Sequence, residues 1–186
     1  MSFQCLNYLN RINKEEKVYI FKCLFETVVD IFNSKETKKV RSKVKQTQEI
    51  TVFTSDFKEE NDYEISYFVY RLVKKHVVST SVLISAFILL DKLISSTPNI
   101  ISRKFIKFAT SLAIILSQKF LDDEVYEDKD YAKTLNISIK LFSAIESSFL
   151  KLINYELFIP ETDFAQYCDY LNRKIKTERK SEKDNT

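Results

Sequence analysis

The sequence of 186 residues predicts an all-α fold, and two features support this class. Apolar residues recur at three- and four-residue spacing along several stretches, which is the period of a helix with one buried face. Glycine is absent from the chain, whereas the tight turns of β-hairpins prefer it. Hydrophobic residues make up 45% of the chain, so it can build a core. We therefore expect one helical domain.

Four segments are predicted along the chain. They are an N-terminal segment with an amphipathic helix between Lys14 and Phe32 (1–33), a basic linker (34–52), the helical domain (53–172) and a charged C-terminal tail (173–186). The tail lacks a periodic apolar face, so we expect it to fray.

Five helices are expected within the helical domain. They run from about Asp62 to His76, from Ser79 or Thr80 to Ile94, through Phe105 to Leu121, from Ile139 to Ile153, and from about Thr162 to Leu171. Caps are expected at Asn61 or Asp62, at Ser138 and at Thr162. Without glycine, left-handed turns fall to asparagines such as Asn136 and Asn154.

The most apolar segments should form the core. Val82–Leu90 of the second helix and Ala109–Leu116 of the third are apolar nearly all round, so several neighbours must cover them. We expect Ala86, Leu112 and Phe149 to be almost inaccessible to solvent.

Two charged residues lie on otherwise apolar helical faces. Lys119 falls on the stripe of Phe105, Phe108 and Leu112, and Glu146 falls within the apolar arc of the fourth helix. Since an unpaired buried charge is very costly, each needs a partner. A mutual salt bridge at the edge of the domain and a contact with another protein are both open from the residues alone.

The residues offer no catalytic centre. His76 is the single histidine and lies on an apolar face, where a satisfied core or edge histidine is favoured over a general base. The acidic stretch 122–130 lacks EF-hand spacing and glycine, which favours a solvated loop over a cation site. The three cysteines are scattered without zinc spacing. We expect no catalytic residue, metal or cofactor.

Only general expectations about cellular location and binding partners follow from the sequence. Nothing resembles a signal peptide or a bilayer-spanning stretch, so we expect no membrane association. The odd number of cysteines fits a reducing cytoplasmic or nuclear compartment. A net charge of +3 implies no strong preference for nucleic acid.

The end of the third helix and the stretch that follows it contain the motif Lys119-Phe120-Leu121-Asp122-Asp123, Tyr126, Tyr131-Ala132-Lys133 and Ile137-Ser138. This motif resembles the cyclin box, specifically that of P-type (U-type) cyclins, which include the yeast phosphate-signalling cyclins. The resemblance extends from about Phe53 to Leu171, as a single box. The chain departs from the family pattern at 134–136, where Thr-Leu-Asn replaces a glycine-containing turn. The chain also lacks the substrate-docking motif of cell-cycle cyclins.

The resemblance implies a non-catalytic regulatory subunit. A cyclin binds a cyclin-dependent protein kinase and stabilises the active position of the kinase's regulatory helix. The resemblance assigns kinase binding to Lys119, Glu146, Phe120, Asp122 and Asp123.

Two further interpretations concern another pair of charges and an alternative function. Asp91 lies inside the second helix, where a carboxylate needs a partner, and Arg71 and Asp91 are expected to be structural, as a charge pair. The alternative function is an all-α cyclin-fold adaptor that binds nucleic acid or transcription proteins without a kinase, for which Arg103, Lys104 and Lys107 are the compact basic group. A cyclin that only scaffolds is a third possibility.

Overall fold

A computed structural model describes residues 20–21, 25–26, 61–96 and 105–184, and the all-α class is confirmed. The part of the chain from residue 61 onward that is described contains six helices and no strand. They are α1 (Asp62–Lys75), α2 (Thr80–Ser96), α3 (Ile106–Leu121), α4 (Asp128–Leu135), α5 (Ile139–Leu152) and α6 (Glu161–Asp184).

Helix α3 is the centre of the packing. It lies against α2, α1 and α5, while α4 packs on α5 and α6 packs on α2. Every residue from Phe108 to Gln118 is buried, because neighbouring helices surround α3 on several sides. The expected burial of Ala86, Leu112 and Phe149 is confirmed. The core is therefore built around the segments that are apolar nearly all round.

Polar side chains that were expected to act as caps lie at the helix ends. Asn61 Oδ1 accepts from the Glu64 backbone N–H at 2.9 Å, and Glu64 Oε2 accepts from the Asn61 N–H at 3.0 Å, which completes a capping box. Ser138 caps α5 by accepting from the Leu141 N–H at 3.2 Å. Asn136 and Asn154 take the expected left-handed conformation, with φ of 54° and 52°.

Helix α4 was not predicted. The acidic stretch before Ser138 was expected to be a loop, but an eight-residue helix forms from Asp128 to Leu135. Tyr131, Ala132 and Leu135 are buried on its inner side, so its apolar contacts with the domain hold it in place. The exposed non-helical connection is thereby shortened to residues 122–127.

Helix α6 is longer than predicted and begins one residue before the expected cap. The Pro160 carbonyl accepts from the Phe164 N–H at 3.1 Å, so Thr162 lies inside the first turn. The helix continues beyond the expected tail boundary at 172, and Ile175 is buried. Its inner stripe therefore extends past Leu171.

Few N-terminal residues are described. Ile20, Phe21, Phe25 and Glu26 are helical, and the two phenylalanines are buried as the predicted stripe requires. The Phe21 ring lies 6.1 Å from the ring of Tyr70 on α1. The rest of the predicted N-terminal helix, the basic linker (34–52), the segment before Asn61 and the basic residues Arg103 and Lys104 lie outside the described residues.

Candidate functional site

Lys119 and Glu146 form the mutual salt bridge that was one of the two interpretations left open by the sequence. Lys119 lies in the last turn of α3, and its Nζ atom donates to Glu146 Oε1 on α5 at 2.7 Å. The Lys119 side chain is 24% exposed and that of Glu146 is 15% exposed. The two charges thus form a half-buried ion pair between the central helix and α5.

Asp128 is a second partner of Lys119 that the sequence analysis missed. As the first residue of α4, it accepts a hydrogen bond from the same ammonium group, and its side chain is 44% exposed. Three helices therefore meet at one cation, with one positive and two negative formal charges.

Aromatic rings form the base of this cluster. Lys119 Nζ lies 5.4 Å from the ring centroid of Phe142 and 5.8 Å from that of Tyr131, within cation–π range. Burial by itself lowers the pKa of Lys119, but the hydrogen bonds to Asp128 and Glu146 outweigh it and raise the pKa above its usual value. The lysine is therefore charged at neutral pH.

A buried polar network holds α4 beside the end of α3. Gln118 Nε2 donates to the His76 carbonyl oxygen at 3.1 Å, and the Tyr131 hydroxyl donates to Gln118 Oε1 at 3.1 Å. Burial raises the pKa of Tyr131 to about 12, so its phenol stays protonated near neutral pH. This network fixes the helix that carries Asp128.

A second set of hydrogen bonds converges on Thr134. Its hydroxyl donates to the Asp130 carbonyl oxygen at 2.8 Å and accepts from Lys75 Nζ at 2.7 Å. His76 Nε2 lies 2.9 Å from Thr134 Oγ1. Because the hydroxyl proton of Thr134 is already donated to Asp130, His76 Nε2 must be the donor in this second hydrogen bond. Neutral His76 is thus the Nε2-protonated tautomer.

The other ring nitrogen of His76 is buried without a hydrogen-bond partner. The imidazole and the Tyr126 ring pack in a T-shaped arrangement, with ring centroids 4.5 Å apart. Burial lowers the pKa of His76, Lys75 adds to this effect, and Asp130 acts in the opposite direction. The position of His76 in the core is consistent with a structural role.

An apolar groove of about 470 Å³ lies beside the end of α3. It opens between the start of α2, the last turn of α3 and the segment that leads into α6. Its apolar lining residues are Phe120, Leu121, Leu157, Phe158, Ile159 and Phe164. Phe120, Leu121 and Phe158 are exposed although they are large and apolar, so part of the lining is unprotected from water.

The remaining residues assigned by resemblance lie next to this groove. Phe120 is half exposed on its wall. The backbone N–H of Asp122 donates to the Gln118 carbonyl oxygen at 2.9 Å and ends α3, and Asp123 is exposed one residue later. The charged cluster and the groove thus share the C-terminal end of one helix.

The predicted pairing of Arg71 with Asp91 is wrong. Asp91 Oδ2 accepts from the Tyr167 hydroxyl on α6 at 2.7 Å, and no ion pair between these two charged residues occurs in the structure as described. Arg71 is exposed on α1, away from the buried face formed by Ile65, Val69 and Leu72. Asp91 instead faces α6, which contains the fifth predicted helix, and only the tertiary packing reveals this contact.

Neither a metal site nor a membrane-spanning helix occurs in the described part of the chain. Over residues 61–96 and 105–184, together with the few described near the N-terminus, no group of three or more His, Cys, Asp or Glu side chains is placed to hold a metal ion. In the same part of the chain, no helix combines the length and apolar character needed to cross a membrane.

The chain matches the family model for cyclins over residues 15–157. From residue 61 onward, the described part of this match contains five helices, α1 to α5, and α6 follows it. The predicted domain had omitted α4 and had counted α6 as its fifth helix.

Individual relatives belong to the plant U-type and P-type groups. The chain is 32% identical to Cyclin-U4-3 of Arabidopsis thaliana over 98 residues, which is 52% of this chain and 45% of that protein. It is 28% identical to Cyclin-U4-1 of Arabidopsis thaliana over 112 residues, which is 60% of this chain and 55% of that protein. It is 26% identical to Cyclin-P2-1 of Oryza sativa subsp. japonica over 115 residues, which is 61% of this chain and 52% of that protein. The chain thus spans about half the length of these relatives.

Proposed function

The chain belongs to the cyclin family, in its P/U-type group, and we propose that it is the regulatory subunit of a cyclin-dependent protein kinase. In this proposal it has no catalytic centre of its own. The observation that carries the proposal is the half-buried Lys119–Glu146 ion pair, because both residues are among the five that the family resemblance assigns to the kinase contact.

The surface around the pair has the composition of a protein interface. Phe120 and Leu121 are exposed at the end of α3, and they lead into the apolar groove. Interface cores combine large apolar side chains with a few desolvated polar groups that fix the orientation. The groove would provide the buried area, and the charged pair would provide directional hydrogen bonds to backbone groups of the kinase.

The mechanism is a shift of a conformational equilibrium in the kinase. A ligand changes such an equilibrium only by its difference in affinity for the two states, and a shift from 1:99 to 99:1 requires about a 10⁴-fold difference. We infer that the cyclin binds the state in which the regulatory helix is rotated inward. That position completes the lysine–glutamate ion pair of the kinase that positions the phosphates of ATP.

The proposal is tested by removing either charge. Lys119→Ala and Glu146→Ala are each expected to weaken binding to a cyclin-dependent kinase of the source organism at least tenfold, or about 1.4 kcal/mol. Kinase activation should fall in parallel, and the melting temperature should change only slightly. Lys176→Ala, an exposed charge on α6, is the matched control.

Two results would contradict the proposal. The first is normal kinase binding and activation by both variants. The second is unfolding of both variants, which would make the ion pair structural. Salt-dependent binding of DNA by the wild-type chain without any kinase would favour the adaptor function.

A further inference from the structure

The ammonium group of Lys119 already has two acceptors before any partner arrives. Glu146 and Asp128 both accept from it, and an ammonium has three donors in all. One cation therefore faces two carboxylates, whereas an ion pair between Lys119 and Glu146 needs only one.

The two carboxylates differ in how firmly they are held. Glu146 is the least exposed of the three charged side chains, and its helix packs Phe142, Ile145 and Phe149 into the core. Asp128 is the most exposed of the three and begins an eight-residue helix that directly follows an exposed, non-helical stretch. Asp128 is thus the outer ligand of the cation, on the side from which a partner would approach.

A partner that offers hydrogen-bond acceptors to Lys119 therefore meets an acceptor already in place. Two of the three N–H donors of Lys119 are committed and one remains. Since carboxylate and carbonyl oxygens both accept, a partner that takes more than one hydrogen bond from the ammonium competes with Asp128 for a donor. The rings of Phe142 and Tyr131 lie 5.4 and 5.8 Å from the ammonium, so packing opposes a shift of the ammonium toward the core.

We propose that Asp128 is an internal competitor for Lys119, whose carboxylate occupies the outer side of the ammonium in the free chain and leaves when the kinase docks. This inference rests on the proposed function and adds regulation of the same site. Asp128 lowers the affinity for the kinase, whereas Glu146 raises it. Two acids on one lysine therefore have opposite effects on binding.

The experiment compares variants of the two carboxylates in the full chain. The probe is the recombinant cyclin-dependent kinase that the wild-type chain captures from its source, with the dissociation constant measured by titration. Asp128→Asn keeps a weaker, neutral acceptor and Asp128→Ala removes it, so both should bind more tightly than wild type, by about two- to fivefold, the scale of an exposed ion pair. Glu146→Gln should bind more weakly.

Asp130→Asn and Asp130→Ala are the matched controls. Asp130 lies in the same first turn of α4, and its backbone carbonyl, rather than its carboxylate, accepts from Thr134. These variants remove the same charge from the same helix end, so they should bind like wild type. Any loss of helix stability common to all four variants is read from their melting curves.

A second measurement examines the free chain. Acetylation of Lys119 by acetic anhydride, followed by mass spectrometry, should be faster in Asp128→Ala than in wild type and unchanged in Asp130→Ala. Equal or weaker kinase binding by both Asp128 variants, or unchanged acetylation of Lys119, would overturn the inference. If wild type binds no kinase, or if Glu146→Gln binds normally, the proposed function fails instead.

Discussion

Tyr167 on α6 donates a hydrogen bond from its hydroxyl to Asp91 Oδ2 on α2, across 2.7 Å and a sequence separation of 76 residues. Asp91 lies near the end of a helix whose interior is almost wholly buried, where a carboxylate needs a partner. Burial and the hydrogen bond to Asp91 both raise the pKa of Tyr167, so the phenol remains a donor. Helix α6, which follows the residues matched by the cyclin family model, therefore supplies the hydrogen-bond donor for Asp91, a charged residue within that match.

Removal of this hydroxyl should destabilise the chain. Tyr167→Phe keeps the ring but leaves Asp91 without its donor, so we expect the free energy of unfolding to fall by about 1–2 kcal/mol. Urea denaturation measures the loss. Tyr170→Phe, an exposed tyrosine on the same helix, should change the stability by less than about 0.5 kcal/mol. Equal stability of Tyr167→Phe and wild type would show that water replaces the hydroxyl.

Val77 marks a place where the chain can be stabilised. It follows α1 with φ of 48°, while the Val78 N–H donates to the Val73 carbonyl oxygen at 3.1 Å to close the helix end. A left-handed conformation is strained for a β-branched residue, and the Val77 side chain is 74% exposed, so it packs little.

Val77→Asn and Val77→Gly should therefore each increase the free energy of unfolding by about 1 kcal/mol, because both residues tolerate this conformation. Asn136 and Asn154 show that asparagine serves the same purpose elsewhere in the chain. Thermal melting measures the gain. A loss of stability in both variants would mean that the exposed valine makes contacts worth more than the relieved strain.

The buried imidazole of His76 should make stability depend on pH. Its pKa is lowered in the folded state, so the unfolded chain takes up a proton more readily as the pH falls. The stabilising contribution is complete above the unfolded-state pKa of about 6.5 and is lost as the pH falls through the lowered folded-state pKa.

Urea denaturation at pH 7.5, 6.5 and 5.5 tests this dependence. Wild type should lose stability towards the acidic end, and His76→Gln, which can still donate to Thr134, should lose less over the same range. Parallel curves for the two proteins would assign the pH dependence to other groups.

The central helix provides a test of core packing. Leu112 is fully buried in α3, so Leu112→Ala should cost about 2–5 kcal/mol by leaving a cavity. Leu121→Ala removes the same atoms from the half-exposed end of the same helix and should cost much less. Chemical denaturation of the two variants compares the sites. A small loss at Leu112 would mean that the surrounding helices collapse into the space.

Helical periodicity was sufficient to predict the longer buried helices. The segments Val82–Leu90 and Ala109–Leu116 are apolar on nearly all faces, and no packing of this chain could leave them in water. Asn61 and Ser138 were also predictable, since a cap depends on hydrogen bonds within a single turn.

Helix α4 could not be predicted in the same way. It is short and charged, and isolated helices of this length are unstable in water. Tyr131 on its buried side packs against His76, which lies far earlier in the sequence, with ring centroids 4.7 Å apart, so the formation of α4 depends on the rest of the domain. Asp128 was missed as a partner of Lys119 for this reason.

The sequence by itself determined the all-α class and the central position of α3, because the burial of a periodic apolar face is a local property. It also determined that Lys119, Glu146 and Asp91 need partners, because the cost of an unpaired charge is local too. Only the tertiary structure decided which partners they have. Pairing depends on the angles at which α3, α4, α5 and α6 meet, and those angles come from side-chain packing across the whole core. The second acid on Lys119 and the tyrosine on Asp91 are consequences of that packing.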